Sequence, residues 1–226
     1  MDIKTLIKQI PLFNTLSEED ITDLSASLRR MSLKQGQTLF HKGDEGTALY
    51  IVQKGTIKIV LPSRIGDEII VTIFSSGDFF GEMALLDGEP RSADAIAIEP
   101  SEVFVLKRND FLAFLQSNIN AIESILSLLS KRLRSTDELL EDTCFLSISV
   151  RLAKKLVELA SSHGEKQGDS IHITLSLTQK ELGDMIGATR ESINKELKIL
   201  REKQIIKTNG NKIQILDLDK LKRKYR

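Results

Sequence analysis

Between Asn109 and Thr143 the chain carries residues at alternating spacings of four and three: Leu115, Ile119, Ile122, Leu126, Leu129, Leu133, Thr136, Leu140 and Thr143. A 3.5-residue repeat held over so many turns keeps one narrow stripe of a helix facing a partner helix, and this restricts the possible folds severely. One long helix over 109–143 is therefore expected, forming the axis of a homodimer through residues 115–143. Thr136 is the only polar interruption before the last seam position, and Asp137 follows it at once. A polar residue at a core position costs stability, so Thr136 either sets the register of an ordinary coiled coil or serves something else. Ile125 and Leu128 flank the seam over its first half only. That half is expected to cover a domain of its own chain as well.

The formal net charge of zero conceals an asymmetry about this helix. Residues 1–143 carry 15 Lys and Arg against 22 Asp and Glu, and residues 144–226 carry 17 against 10, giving −7 and +7. The basic half is where a nucleic acid would be met. With 226 residues, two modest domains can each bury a core. No apolar run approaches the roughly 18–20 residues that a membrane helix needs, and Met1 to Ile10 holds no continuous apolar stretch, so a cytoplasmic protein without a membrane partner is expected. The single cysteine, Cys144, excludes an internal disulfide, a Cys-rich zinc site and a multi-thiolate cluster. It is expected to be a small buried hydrophobe beside Phe145. His41, His163 and His172 show no ligand spacing and are expected on strands or loops, without metal.

Ahead of the long helix, two short helices are expected, Ile3 to Ile10 and one opening after Ser17, with Asp20 at the capping-box distance and Pro11 between them. From Gly36 to Leu106 the texture changes to short β-type runs: Thr38–Lys42, Ala48–Gln53, Thr56–Leu61, Glu68–Phe74, Ala93–Ile98 and Glu102–Leu106, separated by glycines. Such a pattern predicts a sandwich or barrel with closed edges over residues 1–108. After the helix, 144–149 reads as a hinge, Val150–Ala160 as an amphipathic helix and His163–Asp169 as a polar loop. Thr178-Gln-Lys-Glu181 is a capping box opening a helix through Ile186, Gly187 supplies a tight turn, and Thr189 caps a second helix to about Lys203. Ile205–Lys207 and Lys212–Leu216 flank Asn209-Gly210, a hairpin signal. Residues 150–226 thus predict a winged helix-turn-helix, and the whole chain an α+β fold.

The stretch from Phe80 to Ala93 has the means to bind an anion. Gly81 lets backbone approach a ligand, Ala84 and Leu85 suggest a short helical turn, and Arg91 offers a bidentate partner for phosphate. Glu82 beside a phosphate makes sense if the ligand also carries a hydroxyl; the other reading is a surface turn with an exposed Glu–Arg pair. Phe80-Gly-Glu-Met-Ala-Leu-Leu86 followed by Pro90-Arg-Ser-Ala93 resembles the phosphate-binding cassette of cyclic-nucleotide-binding domains. The layout of β-roll, long helix and winged helix is similar to the catabolite activator (cAMP receptor) branch of the CRP/FNR transcription regulators. The resemblance implies a β-roll of jelly-roll type over 1–108, a dimerisation helix over 109–143, a hinge over 144–149 and a DNA-binding domain over 150–226. It implies cAMP as allosteric effector, held by Gly81, Glu82, Met83, Ala84, Arg91 and Ser92. In this family the residue matching Glu82 takes the ribose 2′-hydroxyl, those matching Arg91 and Ser92 take the cyclic phosphate, and a threonine at the place of Thr136 reaches the purine. Asp137 stands where the enterobacterial member has serine. RNA polymerase is a further implied partner, with no surface assigned.

In the second helix of the pair, Arg190, Glu191, Asn194 and Lys195 lie near the N-terminus, the end by which a recognition helix enters the major groove. Arg190 can fork onto guanine and Glu191 can accept from cytosine. This resembles the Arg-Glu-x-x-x-Arg signature of the branch, with Lys195 in the last place. Thr178, Gln179 and Thr189 complete the expected contacts to double-stranded, palindromic DNA. A charged solvent face explains Lys198 and Glu202 well and Arg190-Glu191 poorly. An enzyme using Glu82 and Arg91 on a phosphoester would need a nucleophile–base pair or metal cluster near the cassette, and the sequence offers neither. The same DNA-binding dimer with an empty or repurposed pocket is the nearer alternative.

Overall fold

The computed structural model describes residues 3–10, 12–13, 16–63 and 66–225, which fall into two compact units, 1–134 and 135–226. The proline expected to separate the first helices, Pro11, lies outside the described residues. The first unit runs α1 (Ile3–Gln9), α2 (Glu18–Ser27), β1 (Arg29–Leu33), β2 (Thr38–Phe40), β3 (Ala48–Lys54), β4 (Ile57–Pro62), β5 (Glu68–Phe74), β6 (Phe79–Phe80), α3 (Met83–Leu86), β7 (Asp94–Ala97), β8 (Ser101–Lys107) and α4 (Arg108–Ser117), then enters α5 (Ile119–Phe145). Ser17 and Asp20 form the expected capping box at α2. The expected strands are present with ends shifted by no more than two residues.

Among the described residues of the first unit two antiparallel sheets form, ordered β1-β8-β3-β6 and β2-β7-β4-β5, and they make the β-roll. Strand β3 explains the layering. Its first five residues are all buried because it is covered on both faces. Leu49 and Ile51 enter a core with α1, α2, α4 and α5. Ala48, Tyr50 and Val52, pointing the other way, enter the roll interior with Ile57, Phe74 and Phe80. β6 does the same in two residues, Phe79 outward and Phe80 inward. Each such Phe or Leu contributes about 1.5–3 kcal/mol by its burial. The next residues in the chain, Gly81 and Glu82, therefore start from a fixed point.

The single helix expected over 109–143 is two helices, α4 and α5, with a bend of 113° between them. Asn118 breaks it. Its backbone is extended, its amide donates to the Phe114 carbonyl, and its own carbonyl accepts from Ala121, so one residue stops α4 and starts α5. As a result Leu115 belongs to the domain core and not to the exposed seam, which begins at Ile119. Ala121, Ile125 and Leu128 do pack on that core, as expected for the helix's first half. Ile122, Leu126, Leu133 and Leu140 remain exposed. Cys144 is exposed too, contrary to expectation, and at the last turn of α5 its neighbour Phe145 is also 81% exposed.

The second unit continues from α5 into α6 (Ile148–His163), β9 (Gly164–Gln167), β10 (Ser170–Ile173), α7 (Gln179–Ile186), α8 (Arg190–Glu202), β11 (Ile206–Asn209), β12 (Lys212–Ile215) and α9 (Leu218–Lys222). The break between α5 and α6 is narrower than the hinge expected over 144–149, because α5 persists to Phe145 and α6 already begins at Ile148. His163 ends a helix instead of lying in a strand or loop. The polar loop expected over His163–Asp169 is most of a hairpin. Its strand β9 is exposed at every residue and held by backbone pairing to β10, so it has no apolar alternation to betray it. The sheet order is β11-β12-β10-β9. β11 and β12 turn at Gly210 (φ 57°) and form the expected wing.

Candidate nucleotide pocket and nucleic-acid interface

Phe79 and Phe80 anchor the cassette on opposite faces of the first sheet, and the chain then turns at Gly81, whose φ of +85° is one that other residues adopt at a cost. Glu82 precedes the four-residue helix α3 without a side-chain capping bond, its carbonyl accepting from the N–H groups of Leu85 and Leu86, and the helix buries Ala84 and Leu85 and exposes Met83. The return arm brings Arg91 back under the turn. Its guanidinium donates from Nη1 to the Gly81 carbonyl and from Nη2 to the Ala48 carbonyl, both at 2.7 Å, and stacks over Phe40, 4.3 Å from the ring centre. The Arg91 N–H donates to the Asp44 carbonyl at 2.8 Å. The Ser92 hydroxyl lies 4.0 Å from the Met83 sulfur. Thus Gly81, Glu82, Met83, Ala84, Arg91 and Ser92 share one site.

Glu82 is 1% exposed and Arg91 4%, which excludes the reading of an exposed surface pair. Burial pulls the Arg91 guanidinium below its ordinary value, against the opposing effects of Tyr50, Glu82 and Asp44. The residue that balances Glu82 was not expected. Arg132, on α5, donates from Nη1 to Glu82 Oε1 at 2.6 Å and from Nη2 to the Phe79 carbonyl at 2.5 Å, and it lies 4.6 Å from the Phe74 ring centre. Helical spacing offered a signal: Arg132 stands four residues before Thr136 and so shares its face. Two buried polar atoms lack a hydrogen-bond partner here, Glu82 Oε2 and Arg91 Nε. One accepts and the other donates, which fits a ligand carrying both a hydroxyl and a phosphate. Thr136 and Asp137 are exposed on α5 and belong to the second compact unit.

In that unit, Thr178 and Glu181 cap α7 reciprocally, and Thr189 Oγ1 accepts from the Ser192 N–H at the start of α8. Between them Gly187 is left-handed, at φ 63° and ψ 49°, and the Ala188 N–H closes the turn onto the Gly183 carbonyl at 3.0 Å. Ile193, Leu197 and Leu200 are buried, while Arg190, Glu191, Asn194 and Lys195 are exposed together at the N-terminal end of α8. Gln179 Nε2 lies 3.5 Å from Asn194 Oδ1, so the start of α7 borders this face. Arg201 Nη1 donates to Thr208 Oγ1 and ties the far end of α8 to the wing.

A cyclic nucleotide-binding domain family matches residues 30–118, and a Crp-like helix-turn-helix domain matches residues 150–224. The chain is 30% identical over 221 residues to a CRP-like cAMP-activated global transcriptional regulator of Mycobacterium tuberculosis, covering 98% of this chain and 99% of that one. It is 30% identical over 209 residues to the cyclic AMP receptor protein of Thermus thermophilus, covering 92% and 94%. Among solved structures, the c-di-GMP responsive global regulator CLP of Xanthomonas campestris has the same fold, at a TM-score of 0.77 and 22% identity over 88% of this chain and 99% of that one. FixK2 of Bradyrhizobium japonicum does too, at 0.78 and 18% identity over 87% and 96%. The stretch from Gly81 to Ser92 and the helix pair lie within the two matched regions, and the chain belongs to the CRP/FNR family of transcription regulators, in its catabolite activator branch.

Proposed function

We propose that the chain is a homodimeric regulator that binds cAMP and in response sets two helix-turn-helix units on a palindromic DNA operator. The observation supporting it is the pair of buried, unpartnered atoms of opposite kind, Glu82 Oε2 and Arg91 Nε, on either side of Gly81. In this reading Glu82 accepts the ribose 2′-hydroxyl, while Arg91 and Ser92 donate to the cyclic phosphate. Arg132 couples Glu82 to α5, so a hydroxyl arriving at Glu82 changes what α5 holds. Thr136, one turn farther on, meets the purine, with Asp137 of the partner subunit beside it. The seam from Ile119 to Thr143 pairs the subunits, residues 1–108 act as the sensing domain and 150–226 as the reading domain. Arg190 and Glu191 read base edges, Asn194 and Lys195 support them, and Thr178, Gln179 and Thr189 hold phosphates. The reading includes no catalysis, a cytoplasmic location, and RNA polymerase as the partner that receives the signal.

Ionised Asp137 accepts only, which suits the amino group of adenine and opposes O6 of guanine. Facing acceptors cost about 1–3 kcal/mol, so cAMP should bind at least tenfold more tightly than cGMP. Calorimetric titration of cAMP, cGMP and c-di-GMP into wild type and Asp137→Ala checks this. Equal affinities for the first two, or a ratio unchanged by the substitution, would remove Asp137 from base selection. Binding of c-di-GMP alone would replace the effector.

A further inference from the structure

We propose that the basic C-terminal segment is a second DNA contact, gripping backbone phosphates beside the recognition helix. This rests on the DNA-binding reading and extends it to residues that lie outside the helix-turn-helix. The last nine residues, 218–226, hold five Lys or Arg and one Asp. Asp217 caps α9 and Leu221 is fully buried where α9 packs on α6, so that Lys220 and Lys222 are carried on an anchored helix and Arg223 and Lys224 follow it directly. Lys220 is partly balanced by Asp217 at 3.0 Å, which leaves Lys222, Arg223 and Lys224 as the main charges.

Their position makes them a DNA contact. Lys224 Nζ donates to the Ser149 hydroxyl at 2.9 Å, a neutral partner that leaves the ammonium charge in place. Ser149 lies in the first turn of α6. In that same turn Arg151 Nη1 donates to the carbonyl of Ile186, the last residue of α7, and approaches the place where a side chain at Gly187 would be, at 3.5 Å. The basic segment, the start of α6 and the α7–α8 turn therefore sit at one end of the unit, the end at which α8 begins with Arg190. A duplex that receives the N-terminus of α8 in its major groove carries its flanking phosphates past this end. Lysine and arginine at such a place add affinity without sequence preference.

The test uses the full-length protein, with and without saturating cAMP, and a fluorescent duplex of about 30 base pairs of random sequence. Binding is followed by anisotropy across a potassium chloride series. For Lys222→Gln/Arg223→Gln/Lys224→Gln the slope of log K against log salt should fall by two or more, since each phosphate contact is worth about 0.9. Affinity at about 150 mM salt should drop at least tenfold, and Lys222→Arg/Lys224→Arg should keep the wild-type slope. Arg223→Gln, altering one exposed residue, carries the same test if the triple variant does not fold. A slope equal to wild type in folded variants overturns the inference. Failure of the wild type to bind any duplex would instead overturn the DNA-binding reading itself.

Discussion

Arg132 holds the Glu82 carboxylate and the Phe79 carbonyl with one guanidinium, so its removal strands a buried acceptor. Arg132→Ala should lower stability by about 1–3 kcal/mol, read by urea unfolding of the full chain. Arg132→Lys should recover only part of this, because an ammonium cannot serve both oxygens with the same fork. An alanine variant as stable as wild type would make the pair incidental. Glu82 and Arg91 were legible in the sequence because a carboxylate and a guanidinium in a glycine-bearing turn ask for an explanation. Arg132 was not, since Lys131, Arg132 and Arg134 together look like a solvated helix face. Its role depends on a tertiary contact fifty residues away in the chain.

Elements announced by side-chain chemistry or by an apolar run were readable, and short ones held by backbone pairing alone were not. The capping boxes at Ser17 and Thr178 and the turn at Gly187 are local hydrogen-bond and φ demands, and each formed where its residues stand. Strand β9 and two-residue β6 have no periodicity of their own, and the bend at Asn118 turns on an amide that a heptad count passes over. Gly187→Ala should destabilise the second unit by about 1–2 kcal/mol, the cost of a Cβ in the left-handed region, as a thermal melt would register. Lys154 joins α6 to Asp142 of α5 at 2.8 Å. Burial lowers its pKa, but Asp142 with Glu138 and Glu141 more than offsets this, leaving it above the ordinary lysine value. A raised lysine contributes fully below its unfolded pKa and loses that contribution as pH rises through the folded one. Lys154→Met should therefore lower stability at pH 7 and differ little from wild type well above pH 10.5, the ordinary value.

For the whole molecule, the division into an acidic roll and a basic reading unit was legible from charge and from the change in texture near Leu106. The boundary of the compact units was not, because it falls between Arg134 and Ser135, inside a continuous helix where composition does not change. Two recognition helices related by a two-fold should read half-sites about 34–36 Å apart, a spacing that the catabolite activator itself exemplifies. Hydroxyl-radical footprinting on a selected operator should show two protected patches one helical turn apart, and a single asymmetric patch would contradict the dimer. Cys144 makes the wild-type chain a spectroscopic reporter, since it is the sole thiol and is exposed at the last turn of α5. A nitroxide attached there needs no cysteine-free background. In a two-fold assembly the spins give one inter-label distance and in monomers none, so pairing of the α5 ends, and any shift in it on adding nucleotide, can be measured as a change in dipolar frequency on the unmutated protein.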